Sequence, residues 1–260
     1  MSTSTDIIDA HVHLSMPGDS SEPIGSVEDL VMQMDMTSVD AAVILPNPLP
    51  KGMNPEKYNE FIADTVKQYP QFVGFGSVNP LDGAKALKEL DRFPSLHLKG
   101  LKLNPLLQNF NCDTKEMEKI AQKCNDMDIP ILIHSYFPFN TQESERLYRL
   151  VQNHEETVFI LAHTGGHTFV DFFSYVERRK TGKDNVYFDV SSISIMFRRS
   201  PYTEQLTWLL QQMGADRVIF GSNYPKYQLV DALAAFDELS LSFSESQHIM
   251  GKTITHLLNL

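Results

Sequence analysis

Short apolar runs rich in β-branched residues recur along this chain at intervals of about 30 residues, the size of one strand–helix–strand unit. Near-continuous apolar runs are typical of parallel strands that are covered on both faces. The runs are Ile7–His13, Ala41–Leu45, Phe72–Val78, Gly100–Leu103, Ile131–His134, Val158–His163, Val186–Val190 and Val218–Gly221. Their regular recurrence predicts an α/β fold built on a parallel sheet.

Helical patterns fill the intervals between these runs, and several carry capping signals. Ser26 is followed three residues later by Asp29, as in a capping box, and Asn54-Pro55 places proline at the first helical position. Asp113 precedes a helical pattern over Thr114–Asn125 as its predicted cap, and Glu116 completes a second signal like a capping box. Further helices are predicted at Gln142–Asn153, Phe169–Lys180, Glu204–Gly214, Leu229–Leu239 and Glu245–Leu258.

Eight strands in strict alternation with helices over about 250 residues favour a closed (β/α)8 barrel, the TIM barrel. An open doubly wound sheet is the alternative. It would usually carry a glycine-rich phosphate turn after the first strand, and residues 14–18, Leu-Ser-Met-Pro-Gly, do not form one. No linker interrupts the pattern, so we predict a single barrel domain over residues 1–260.

Composition narrows the class of partner. The formal net charge of −11 argues against nucleic acid and anionic membranes, which leaves a small-molecule substrate and keeps a homo-oligomer open. Cys112 and Cys124 are too isolated for a disulfide framework, so we expect reduced thiols in a cytoplasmic protein. Met1–Asp6 is short and polar, so we expect no signal peptide, and no apolar run approaches the roughly 20 residues that span a bilayer.

Histidines end three of the predicted strands. His11 and His13 share one face of the first strand because side chains alternate along a strand. His134 ends the fifth strand and His163 the sixth. The carboxyl ends of barrel strands form the active-site face, so these four of the nine histidines should converge there. Neutral imidazoles bind zinc, iron, nickel and copper, so the pattern favours a metal centre over four unrelated surface residues.

The chain resembles the amidohydrolase superfamily, in particular the amidohydrolase-related metal-dependent hydrolases that include aminocarboxymuconate semialdehyde decarboxylase. The resemblance covers nearly the whole chain and is most specific in the first and last motifs. The motifs are Asp9–His13, Gly100–Pro105, Pro130–His134, Leu161–Gly166, Val186–Ser191 and Phe220–Pro225.

The resemblance implies a hydrolase in which metal-activated water attacks a lactone, ester or amide carbonyl of a small organic substrate. It implies that His11, His13 and His134 bind one divalent ion, most simply zinc, with Asn223 at the fourth protein position. His163 would lie beside the water or the substrate. Three alternatives stay open: non-hydrolytic decarboxylation of an aromatic or enoic acid, a metal-independent lactonase, and a catalytically silent binding protein.

Asn223 departs from the family pattern, which is Gly-Ser-Asp where this chain has Gly-Ser-Asn at residues 221–223. An amide can offer an oxygen to a metal, but it has no negative charge and cannot act as a base at neutral pH. The asparagine fits an engineered substitution that stalls turnover, a natural adaptation with His163 as the base, or a loss of catalysis. We favour the first, because the residues around Asn223 keep the active pattern.

Other polar residues near the strand ends are candidates with less specific roles. Asp189 and Asp9 are interpreted as hydrogen-bond partners of the ligands rather than as ligands. Lys102 ends the fourth strand, and its surroundings do not favour a carboxylated lysine that bridges two metals. Candidate substrate-binding residues are Lys102, Asn104, Gln108, Tyr136, Arg198, Arg199 and Tyr224.

Overall fold

Eight parallel strands follow one another around a single sheet in chain order. They are seen in a computed structural model that describes residues 6–18, 25–47 and 54–260. The strands are β1 Ile8–Leu14, β2 Ala41–Pro46, β3 Phe72–Gly76, β4 Gly100–Leu103, β5 Ile131–His134, β6 Phe159–Ala162, β7 Val186–Asp189 and β8 Val218–Ile219. Each predicted strand is present, although β3 and β8 end two residues earlier than the sequence pattern indicates.

The segment that follows β8 returns to β1 and brings the sheet close to closure. The amide of Ala10 donates to the carbonyl of Phe220 at 3.0 Å, and that of His13 donates to Tyr224 at 2.7 Å. The predicted (β/α)8 barrel is therefore confirmed. The single-domain boundary of 1–260 reaches beyond the described residues and stays a prediction.

Helices connect the strands in the predicted alternation. They are α1 Val27–Thr37, α2 Pro55–Gln68, α3 Ala84–Leu90, α4 Pro105–Gln108, α5 Lys115–Asp126, α6 Thr141–Asn153, α7 Phe173–Lys180, α8 Ile193–Met196, α9 Tyr202–Met213, α10 Leu229–Asp237, α11 Phe243–Gln247 and α12 Thr253–Leu258. Ser26 and Asn54 cap α1 and α2 as predicted. No helix among the described residues has both the length and the apolar character needed to cross a membrane.

Three helix predictions need correction. Thr114 caps α5, whereas the predicted cap Asp113 instead pairs with Arg146 and Arg149. The helix after β6 begins at Phe173 because the preceding ten residues form a kinked 3-10 segment with left-handed backbone. The last predicted helix is divided into α11 and α12 by a π-helical turn.

Side chains on the same strand face are apolar inside the barrel and polar at the carboxyl end of the strands. Leu132 lies two residues before His134, and Tyr187 two residues before Asp189, so each pair shares a strand face. Leu132 and Tyr187 belong to one buried apolar cluster. Polar side chains that would be costly in that cluster are thus carried at the carboxyl ends of the same strands.

Candidate metal centre and active site

The predicted histidines form one cluster at the carboxyl end of the barrel. Ring centroids lie 5.0 Å apart for His11 and His13, 4.9 Å for His11 and His163, and 5.0 Å for His134 and His163. Asn223 joins the cluster through its backbone, whose amide donates to the carbonyl of His11 at 2.9 Å. The structure therefore brings together the five residues for which catalytic or metal-binding roles are predicted.

The two β1 histidines present matching nitrogens to each other. Nε2 of His11 lies 3.1 Å from Nε2 of His13. Nδ1 of His13 donates to the carbonyl of Pro46 at 2.9 Å, so the proton of His13 is on Nδ1 and Nε2 keeps its lone pair. Two nitrogens that each lie 2.0–2.1 Å from one ion stand about 3.0–3.4 Å apart at ordinary ligand angles. The observed spacing fits a shared divalent ion.

Burial keeps the imidazoles in the form that a metal needs. It lowers the pKa of His11, His13 and His163 well below the usual range, and the positive charge of Lys102 acts in the same direction. For His134, burial lowers the pKa to about 3. At neutral pH these rings are therefore uncharged and each keeps one lone pair.

Asp189 holds the far side of His11. One of its oxygens makes a short contact with Nδ1 of His11, and its other oxygen accepts from the amide of Ser191 at 2.6 Å. Potential ligand atoms of His11, His163 and Asp189 lie within 4.8 Å of one another. The Nε2 side of His11 is the better candidate position for an ion, because His13 faces that side and a carboxylate on Nδ1 is the usual orienting partner of a ligand histidine.

Lys102 reaches into this cluster from β4. Its ammonium nitrogen lies 3.2 Å from Nε2 of His11, and its side chain is buried. Burial lowers the pKa of Lys102 to about 7, so the neutral amine is readily accessible near neutral pH. A neutral amine can stand beside a divalent ion, and the protonated form offers a buried positive charge to an anionic ligand.

His163 follows directly after β6 with its backbone in the left-handed region, at a φ of 64°. Its Nδ1 lies 3.1 Å from the carbonyl oxygen of Ser191. A carbonyl only accepts, so this nitrogen carries the proton and Nε2 is left unprotonated. Thr164, Ser192 and Asn223 also have positive φ, and such strained backbone is concentrated at functional sites.

His134 and Asn223 each use one polar side-chain atom in a hydrogen bond and keep another available as a ligand. Nε2 of His134 donates to the carbonyl of Tyr136 at 2.8 Å, which leaves Nδ1 with the lone pair. The side-chain amide of Asn223 donates to Oγ of Ser192 at 2.7 Å, so its oxygen remains available as an acceptor or a ligand.

Several predicted substrate-binding residues have their polar atoms engaged elsewhere. Arg198 and Arg199 both donate to Glu238, after the end of α10. The hydroxyl of Tyr224 bonds to Asp29 in the first turn of α1. Asn104 caps α4, and Gln108 accepts from the amide of Asn104 at 2.7 Å. Their side-chain hydrogen bonds stabilise loops. Lys102 is the member of the predicted set whose side-chain nitrogen lies within hydrogen-bond distance of the histidine cluster, whereas Tyr136 and Tyr224 contact it through their backbone carbonyls.

Tyr136 lies on the loop after β5, and its hydroxyl bonds to Nδ1 of His167 at 2.8 Å. A cavity of about 620 Å³ lies beside this pair, between α6 and the segment around α7. Phe137, Tyr148 and Phe172 are among its lining residues, whereas none of the four clustered histidines is. The cavity therefore neighbours the cluster without containing it.

Sequence reasoning gave no role to Ser192 and treated Ser191 only as part of a motif. The hydroxyl of Ser191 lies 2.9 Å from Nδ1 of His163 and 3.1 Å from Nδ1 of His11. The sequence does contain a pattern that points to both serines, since they follow Asp189 within three positions at the end of an apolar strand. What the sequence does not show is that Ser191 contacts two histidines 28 and 180 residues away, or that Ser192 accepts from Asn223.

A family model described as an amidohydrolase matches residues 8–260. The chain belongs to the amidohydrolase family. This confirms the resemblance inferred from its motifs and the prediction that it is an enzyme. The comparison of this chain with curated proteins found no match in sequence.

Solved structures with the same fold include three that are informative. A TIM-barrel protein from Bordetella bronchiseptica has a TM-score of 0.80 at 18% identity, over 98% of both chains. A dihydroxybenzoic acid decarboxylase from a Polaromonas species, with bound manganese and the inhibitor 2-nitroresorcinol, has a TM-score of 0.76 at 18% identity, over 99% of this chain and 98% of that one. A protein from Acinetobacter baumannii is described as a probable 2-pyrone-4,6-dicarboxylic acid hydrolase with citric acid bound. It has a TM-score of 0.74 at 17% identity, over 98% of this chain and 100% of that one. At these identities the likeness shows the fold.

Proposed function

We propose that this amidohydrolase is a divalent-metal-dependent hydrolase that cleaves a lactone, ester or amide of a small organic substrate. The observation that carries the proposal is the arrangement of His163 beside the β1 pair. Nδ1 of His163 is held by a carbonyl, so its unprotonated Nε2 can accept a proton. The ring lies 4.9 Å from that of His11, one of the two histidines with nitrogens at ligand spacing.

We propose that His11, His13 and His134 bind the ion, with the side-chain oxygen of Asn223 as a further ligand. A divalent ion at this position would polarise the substrate carbonyl and lower the pKa of water. Zinc is our first choice because the donors are imidazoles. Manganese is the second, since the Polaromonas decarboxylase binds it.

His163 supplies the acid–base chemistry in this proposal. Its burial keeps it neutral, so Nε2 can take a proton from the attacking water as the water oxygen bonds to the carbonyl carbon. When the bond from that carbon to the leaving oxygen or nitrogen breaks, the same proton moves from His163 to the leaving atom. Asn223 takes no part in this proton transfer because an amide is not a base at neutral pH.

Lys102 suggests the charge of the substrate. A buried ammonium group within hydrogen-bond distance of His11 is poorly compensated, because the charge of Asp189 offsets only part of the effect of burial on the pKa of Lys102. A substrate carboxylate would provide the missing negative charge. We therefore propose that the substrate is a small carboxylic acid that also carries a hydrolysable bond. We also propose a cytoplasmic location for the protein.

A decarboxylase is the second candidate, and Asn223 is the observation that favours it. Loss of carbon dioxide leaves an electron pair on carbon, which needs a proton donor and does not need deprotonated water. The absence of a carboxylate at position 223 is then less costly than in hydrolysis. The Polaromonas neighbour is a decarboxylase, which makes this chemistry compatible with the fold.

Isotope labelling distinguishes the two reactions. We expect the metal-loaded protein to open 2-pyrone-4,6-dicarboxylic acid or a related lactone acid and to incorporate one oxygen from H₂¹⁸O into the product carboxylate. Dihydroxybenzoic acids, assayed in D₂O, serve as the competing panel. Release of carbon dioxide with deuterium bound to carbon, and without turnover of any lactone, ester or amide, would contradict hydrolysis and favour the second candidate.

A further inference from the structure

Ser191 contacts two histidines of the cluster and Asp189 from a fully buried position just after β7. Its hydroxyl oxygen lies 2.9 Å from Nδ1 of His163 and 3.1 Å from Nδ1 of His11. Its amide donates to Asp189 at 2.6 Å. One residue therefore touches a proposed ligand, the proposed base and the carboxylate that holds the ligand.

The proton positions follow from the partners. Nδ1 of His163 faces a carbonyl oxygen and Nδ1 of His11 faces a carboxylate, and both of these groups are acceptors. Both imidazoles are therefore protonated on Nδ1, and the serine oxygen between them can accept from each through its two lone pairs. In this tautomer both rings present an unprotonated Nε2, the atom that a metal ligand and a general base require.

We propose that Ser191 is a positioning residue whose hydroxyl fixes the orientation of His11 and His163 together, while the carbonyl of Ser191 and the carboxylate of Asp189 fix their tautomers. Its hydroxyl acts through the two histidines rather than on the substrate. The consequence for catalysis rests on the proposed function, whereas the hydrogen bonds of the two rings are a property of the metal-free protein and can be measured without turnover.

The test uses Ser191→Ala in the full chain, with Ser194→Ala as the matched control. Ser194 is also buried and follows β7, but its hydroxyl donates only to the carbonyl of Val190, at 3.3 Å. Long-range ¹H–¹⁵N spectra of the metal-free proteins report the protonation and the hydrogen bonding of each ring nitrogen, with resonances assigned from His11→Asn and His163→Asn. Zinc and manganese titrations follow on the same samples.

We expect the original chain and Ser194→Ala to show one protonated Nδ1 and one unprotonated Nε2 for each ring. In Ser191→Ala the tautomers should stay the same, because the backbone carbonyl of residue 191 and Asp189 remain, but the Nδ1 shifts of both His11 and His163 should move because both rings lose the serine hydroxyl. Metal affinity should fall about 10–100-fold, the usual effect of removing a residue that orients a ligand. Ser191→Thr, which keeps the hydroxyl, should restore both Nδ1 shifts.

Unchanged nitrogen shifts in a folded Ser191→Ala protein would overturn the proposal, as would equal losses of metal affinity in the two alanine variants. If Ser191→Thr does not fold because its extra methyl group overfills the site, the alanine spectra still decide. If the original chain binds no metal, the proposed function fails while the spectra continue to test Ser191.

Discussion

His163→Asn is expected to lower kcat by about 10²–10⁴-fold, the range typical for removal of a general acid–base group. The asparagine can still fill much of the space near Ser191, but it has no ring nitrogen that can accept a proton. Because His163 is not among the proposed ligands, most of the metal should stay bound. Steady-state kinetics and metal analysis of the same preparation check both parts.

His97→Asn is the matched control for this loss. His97 is exposed and has a φ of 56°, a left-handed conformation that asparagine adopts readily. It should leave kcat and metal content unchanged. If His163→Asn instead loses metal in proportion to activity, His163 is a ligand and the assignment of the base is wrong.

Asn223→Asp is expected to tighten metal binding and to raise turnover, by orders of magnitude if the asparagine was engineered. The carboxylate restores a negative charge beside the proposed ion and a proton acceptor beside the water. The two side chains are nearly isosteric, and Ser192, which now accepts from the amide, can rotate its hydroxyl to donate to a carboxylate. Metal titration and kcat of both forms provide the measurement.

A neutral or harmful effect of Asn223→Asp would bear on the assignment of the base. If Asn223→Asp is neutral or harmful while the present chain turns over efficiently, the asparagine is an adaptation and His163 suffices as the base. If neither form acts on any lactone, ester, amide or carboxylated aromatic tested, the hydrolase proposal fails and a binding protein gains support.

The barrel could be predicted from the sequence because its strands carry strong local signals. Ile131–His134 is apolar up to a terminal histidine, and that pattern alone gives both the strand and the end at which its polar group lies. The 3-10 segment after β6 could not be predicted in the same way. Its left-handed backbone at His163 and Thr164 is held by tertiary contacts, including the bond from Thr164 to the carbonyl of Asp189 at 2.8 Å.

The histidine cluster was predictable because each member lies near the carboxyl end of a strand or just after it, so the topology alone brings them together. The hydrogen-bond partners of the candidate substrate residues could not be predicted, because side-chain direction in loops depends on distant partners. Arg198 is a candidate by its position after a strand, and its guanidinium bonds to Glu238, 40 residues further along. Ser191 was missed for the same reason, since its role depends on two histidines from other strands.

Metal content tests the central claim most directly. We expect the purified protein, after equilibration with zinc or manganese and removal of the excess, to hold about one ion per chain by inductively coupled plasma mass spectrometry, because the proposed ligands form a single centre. His11→Ala and His13→Ala should each lose most of that ion, and chelation should abolish activity until metal is returned. A fully active preparation that contains no metal and is indifferent to chelators would contradict the account and favour a metal-independent lactonase.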